Sequence, residues 1–247
     1  MRAETRMRRL CDARGEASGK MIGNRMSAVM WLGLLGALLL GGAVHGAARQ
    51  PECIVVDDFA KSKPGEFPVD WNARDDAGKE AYAVREEGGL RFLAADSRGL
   101  GIQAGRKFEW DLAAYPVLAW SWRPRQFPDG ADERNSKTND SAVAVYAVFP
   151  HWIPGTVKTV KYVWSVVVPK GTHLTSSMGR TQVLVLRSGA EGKDRWVEER
   201  VNVREDFKRL FKTSSVPKPE GLAVLTDADD TQNRARGDYA NFRVCRG

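Results

Sequence analysis

The chain has 247 residues, a formal net charge of +7 and 43% hydrophobic residues, with 24 glycines, 11 prolines and three cysteines. That length suits one domain or at most two, and the apolar content without a three-residue glycine period excludes a disordered or collagen-like chain. One long uncharged apolar stretch is too little for a multi-span membrane protein, and three cysteines are too few for a disulfide-dense mini-scaffold.

Residues 1–25 carry seven basic side chains, from Arg2 to Arg25, against Glu4, Asp12 and Glu16. Residues 26–44 hold no charge, and Gly46, Ala47 and Ala48 follow. A basic start, an apolar centre and a small-residue exit are the parts of a secretory signal peptide. The glycine-rich centre is short for a stable span, so cleavage is expected near residues 46–48. This divides the chain into a leader over 1–48 and a domain over 49–247. Cys53 stands beyond Arg49 and Glu52, not at the end of the apolar run, which argues against a lipoprotein. The leader holds +4 of the charge, leaving 31 Lys and Arg against 28 Asp and Glu. A nearly balanced domain with interspersed signs has no nucleic-acid footprint. The expected location is periplasmic or secreted, with membrane contact only through an uncleaved leader.

Two cysteines then remain, at the two ends of the domain. Residues 53–59 read as a strand with Ile54 and Val56 on one face. Residues 238–245 read as the last strand, with Ala240, Phe242 and Val244 on one face. Antiparallel pairing that sets Cys53 against Cys245 also sets Ile54 against Val244 and Val56 against Phe242. A one-residue slip would invert that match, so the register predicts a Cys53–Cys245 disulfide, with free thiols or an intermolecular bridge as alternatives.

Between them, residues 81–85 and 90–94 flank Glu87, Gly88 and Gly89 as a hairpin. A strand region over 100–110 is broken near Gly105. Residues 115–123 place Leu118, Trp120 and Trp122 on one face and Arg123 on the other. Residues 141–149 are apolar on both faces, as in a strand covered on both sides. Further strands are predicted over 157–168, 182–187, 196–200 and 221–226. One helix is expected over 202–211: Asn202 and Glu205 form a capping-box start, and Val203, Phe207, Leu210 and Phe211 form one apolar stripe. The expectation is an all-β fold: a single antiparallel β-sandwich of jelly-roll type with one short packed helix.

Three ordered stretches, residues 131–149, 202–211 and 225–231, together with Val56 to Phe59 and Trp120 to Arg123, resemble the bacterial domain of unknown function 3047 family. The resemblance spans most of residues 54–244. It implies an exported sandwich similar to carbohydrate-binding modules, with no assigned activity and no catalytic residues to carry over.

The chemistry begins with absences. His151 and His173 have no ligand-spaced partner for a metal, no Gly-x-Ser-x-Gly elbow appears, and no glycine-rich loop resembles a phosphate cradle. Zinc, serine hydrolase and nucleotide readings are poor. The polar run from Asp132 to Asp140 leads into the most apolar strand, and Asp140 at the strand mouth is either a pocket carboxylate or a turn cap. The run of Asp227, Asp229, Asp230, Thr231 and Asn233 packs side-chain oxygens at two-residue spacing. The EF-hand pattern fails there, because Thr231 and Gln232 occupy positions it reserves for an oxygen ligand and a glycine, so no cofactor is expected beyond a structural calcium ion. The plain alternative is an acidic turn. Arg123 needs a carboxylate partner if buried, with Asp140, Asp227 or Asp229 as candidates. Among Trp71, Trp110, Trp152 and Trp196, Trp152 in the loop after residue 149 is the best exposed platform for a sugar ring, whereas Trp120, Trp122 and Trp164 suit the core. The preferred expectation is a non-enzymatic module binding a carbohydrate or another cell-envelope ligand through Arg123, Asp140, Trp152, Asp227 and Asp229. The alternatives are a carboxylate-dependent glycoside hydrolase or lyase and a structural envelope protein.

Overall fold

In a computed structural model, which describes residues 52–73 and 75–247, the chain folds into two β-sheets packed on one core. The expected leader and its cleavage site lie outside the described residues. The elements in order are β1 (Cys53–Asp57), β2 (Trp71–Ala73), α1 (Asp76–Ala81), β3 (Tyr82–Glu87), β4 (Leu90–Arg98), β5 (Ala104–Lys107), β6 (Val117–Gln126), β7 (Ser141–Pro150), β8 (Val157–Ser165), β9 (His173–Ser176), β10 (Thr181–Ser188), β11 (Val197–Asn202), α2 (Val203–Phe211), β12 (Gly221–Asp227) and β13 (Arg234–Cys245).

One sheet has six strands in the order β11-β6-β13-β4-β3, with β1 also paired to β13; the other has seven, β2-β5-β12-β7-β8-β10-β9. The β-sandwich expectation holds. Strand pairs are antiparallel except β8 and β10, which run parallel. The departure arises because β9 and β10 pair antiparallel as a unit whose second strand lies inside, against β8. The core follows the alternation read from the sequence. Trp120 and Trp122 of β6 meet Tyr162 and Trp164 of β8 across the sandwich, with ring centroids 5.7 and 6.1 Å apart. Burying such aromatic pairs contributes beyond their area, by about 0.5–1.5 kcal/mol each.

The hairpin β3–β4 turns at Gly88 and Gly89, both at positive φ, where a side chain would be strained. Helix α2 begins as read: the Asn202 side chain accepts from the Glu205 N–H at 3.0 Å, and Val203, Phe207 and Leu210 are buried. A second, six-residue helix, α1, was not expected; it is too short to show a 3.6-residue period, and its signal is the Asp75 cap on Gly78.

The Cys53–Cys245 disulfide is present, and Ile54 opposes Val244 as expected. The register then shifts, so Phe242 faces Asp57 and not Val56. The extra residue is Val56 on β1, because Arg243 and Phe242 follow one another on β13. The consequence of the shift is that Val56 is buried while Ile54, expected on the core face, is 41% exposed. A bulge of this kind changes which face a side chain reaches.

Candidate functional site

The outer face of the seven-stranded sheet carries a trough. Its larger part, about 840 Å³, has Gly105, Gly221 and Ala223 along its floor and Asn72, Lys107, Phe108, Glu109 and Glu220 among its lining residues. A second part, about 400 Å³, shares Asn72, Gly105 and Ala223 and continues past Gln103 to Gly101 and Leu225. The trough exists because β5 and β12 place small residues on their outward positions while the alternate ones, Ala104, Leu222 and Val224, enter the core.

Beyond Leu225 lie three carboxylates. Asp227 closes β12, Asp140 immediately precedes β7, and Asp229 stands in the turn after β12. One oxygen from each lies within 4.8 Å of the others. The β7–β12 register shifts between Leu225 and Asp227, which sets Asp227 against Ser141, next to Asp140. Asp140 is fully buried. Its Oδ1 accepts from the Asp230 N–H at 3.2 Å, and its Oδ2 accepts from the Thr231 N–H at 2.8 Å and the Thr231 hydroxyl at 2.6 Å. It thus caps the turn after β12, not its own loop. Asp227 is 7% exposed, and its Oδ1 has no hydrogen-bond partner. Such an atom costs about 1–3 kcal/mol when left bare. Burial pushes the Asp227 carboxyl up to about 8; Lys161 opposes the shift, and Asp229 and Asp140 add to it.

Sequence reasoning missed Lys161. It lies on the outward parity of β8, where a lysine reads as solvent-facing, yet it is 3% exposed. Its ammonium lies 5.8 Å from the centre of the Tyr146 ring. Burial works against its charge, but Tyr146, Asp227 and Glu133 outweigh that cost and hold it above the ordinary lysine range. Glu133, expected in a solvated loop, is also buried and accepts from the Ser165 hydroxyl at 2.5 Å. Burial raises its carboxyl, with Ser165 pulling the other way. The signal for this pocket was the unbroken apolar run of β7, which needed cover on both faces.

Arg123 does not join the aspartates. It lies on the outward parity of β6, in the other sheet, where its Nε donates to Asp238 at 2.8 Å and a terminal nitrogen donates to Glu87 at 2.8 Å. Its guanidinium also stands 4.5 Å from the centre of the Trp196 ring. The arginine–aspartate constellation expected from the sequence is therefore divided between the two outer faces, because Arg123 and the aspartates belong to different sheets. Trp152 is 83% exposed, as expected, whereas Trp71 and Trp110 are buried. Trp71 is held by its indole N–H donating to Asp57 at 2.7 Å. Trp152 and Asp140 flank opposite ends of β7, ten residues or ~30 Å of strand apart. Trp152 shares its end of the sheet with Gly221, and the aspartates share theirs with Leu225 and Gly101. The trough runs between those ends.

The model of a family described as protein of unknown function (DUF3047) matches residues 70–243. No curated protein matches the chain. Among solved structures, similar ones include TmCBM61 in complex with β-1,4-galactotriose, with a TM-score of 0.37, 12% identity, and coverage of 77% of this chain and 99% of that one. The family 11 carbohydrate-binding module of the cellulosomal cellulase Lic26A-Cel5E of Clostridium thermocellum has a TM-score of 0.44 and 6% identity, covering 80% and 96%. The family GH12 endoglucanase 3 of Trichoderma harzianum has a TM-score of 0.39 and 11% identity, covering 81% and 100%. At TM-scores below 0.5, none of them assigns a ligand or a site residue here.

Proposed function

We propose that this chain, which belongs to the DUF3047 family of proteins of unknown function, is an exported, non-enzymatic module that binds a carbohydrate or another polyhydroxylated cell-envelope ligand in the outer-face trough of its seven-stranded sheet. The observation that carries the reading is the trough itself: a small-residue floor beneath Asn72, Gln103, Lys107, Glu109 and Glu220, with Trp152 exposed at one end of the same sheet. Hydroxyl-rich ligands need such hydrogen-bonding walls, and an exposed indole face suits the apolar side of a sugar ring. Export is supported by the leader pattern in residues 1–48 and by the disulfide, which persists in oxidising compartments. Among the described residues no helix is long and apolar enough to cross a membrane.

The hydrolase reading has less support. Paired carboxylates of glycoside hydrolysis stand about 5–9.5 Å apart on either side of the scissile bond. Here the three aspartates crowd within 4.8 Å, and Asp140 is enclosed with both oxygens engaged.

A glycan and polysaccharide array tests the reading. Wild type is expected to bind a defined glycan class, Gln103→Ala to bind it more weakly, and Trp152→Ala to lose roughly tenfold or more, as an anchoring aromatic does. Absence of binding across the array removes the reading.

A further inference from the structure

Three observations meet at the far end of the trough. The first is the convergence of Asp140, Asp227 and Asp229, whose ligating oxygens lie within 4.8 Å of one another. The second is the bare Asp227 Oδ1, buried in a residue more than nine-tenths enclosed. The third is Gly101. A Cβ there would stand 2.7 Å from Asp227 Oδ1 and 2.8 Å from Asp229 Oδ1. Gly101 is not among the positive-φ glycines, so space and not backbone conformation demands a glycine. Both oxygens therefore face one cradle, which a methyl group would fill.

We propose that Asp140, Asp227 and Asp229 hold one hard divalent cation of the calcium class beside Gly101. Like charges this close are unfavourable without a counter-charge, and none of the three forms an ion pair with Lys or Arg among the described residues. Lys161 attracts Asp227 but is shared with Tyr146 and Glu133, so it neutralises one negative charge at most. The donor set is all oxygen, with neither His nor Cys, which selects calcium-like ions over zinc or copper. Asp140 is anchored by the Asp230 N–H on Oδ1 and by the Thr231 N–H and hydroxyl on Oδ2, which leaves Oδ1 a further lone pair for a metal. Asp229 is exposed, and Gly101 lines the trough, so the open coordination positions face solvent and the ligand groove. Calcium requires six to eight oxygens, and water supplies those the carboxylates do not.

Calorimetric titration of the EDTA-treated full chain with calcium chloride tests the assignment. One saturable site is expected, with a Kd of about 10⁻⁴–10⁻³ M, the range of extracellular calcium modules, and a calcium-dependent rise in Tm. Asp229→Asn, an exposed change that leaves the core intact, is expected to have a calcium-free Tm no lower than that of wild type, since it removes one of the clustered charges, and to lose both responses. Gly101→Ala is expected to lose them too. Absence of saturable binding at millimolar calcium overturns the site, as does an Asp229→Asn variant that still responds like wild type. An equal Tm rise with magnesium overturns the choice of ion. These outcomes are independent of glycan binding.

Discussion

The hydroxyl of Tyr239, on β13 of the six-stranded sheet, stands 2.8 Å from the carbonyl oxygen of Leu225, on β12 of the other sheet. It also accepts from the Ala144 N–H of β7 at 3.3 Å. One buried side chain thus ties the two sheets where the β7–β12 register shifts and Asp227 turns toward Asp140. The shift leaves backbone groups outside the regular ladder, and the tyrosine satisfies them where water is excluded. Tyr239 thus holds the β12 backbone two positions before Asp227.

Tyr239→Phe keeps the ring and removes this link. Stability is expected to fall by about 1–3 kcal/mol, the cost of leaving buried polar partners unmet. Urea denaturation should show a lower midpoint with an unchanged slope. An unchanged midpoint would show that the linkage carries no net stability.

The Cys53–Cys245 bond closes a loop with a sequence separation of 192. Chain-entropy arguments assign such a loop about 5 kcal/mol, with measured losses on disulfide removal of about 2–5 kcal/mol. Cys53→Ser with Cys245→Ser should lower Tm, and dithiothreitol should lower that of wild type but not that of the variant. A thiol assay on unreduced, denatured protein that detects both cysteines free would refute the bond.

Arg123 is buried between Asp238, Glu87 and the Trp196 ring. Asp238→Ala leaves a guanidinium without its enclosed partner. Breaking a buried pair this way costs about 3–5 kcal/mol, and the exposed Glu87 should hold the loss near the lower figure. Because Arg123 and the trough lie on different sheets, folded Asp238→Ala protein should bind glycan as wild type does. Weakened glycan binding by folded protein would place Arg123 in the site after all.

Glu133 titrates above the ordinary carboxylate range because it is buried. Its native state binds a proton more tightly than the unfolded chain does. Stability from this group is therefore full below the ordinary carboxylate range and is lost as pH rises through the raised value. The Tm difference between wild type and Glu133→Gln should move against wild type as pH rises above the ordinary carboxylate range. Asp227 and Asp238, also raised by burial, are common to both proteins and cancel in the difference. A pH-independent difference would contradict the assignment.

Local pattern by itself determined much of this protein. Alternation placed Trp120, Trp122 and Trp164 in the core, the Gly88–Gly89 pair marked a hairpin, Asn202 and Glu205 marked the start of α2, and face matching paired Cys53 with Cys245. Each signal lies within a few residues or in a period that reports one face, so the chain can be read without knowing its neighbours. Tertiary structure alone decided the rest. It divided Arg123 from the aspartates, because parity along a strand does not say which sheet the strand joins. It buried Lys161 and Glu133, because cover over an outer face comes from segments distant in sequence. It brought Asp140 to Asp227 and Asp229, 87 and 89 positions away. That meeting depends on β7 and β12 being neighbours and on a register shift at Leu225, which no spacing in the sequence records.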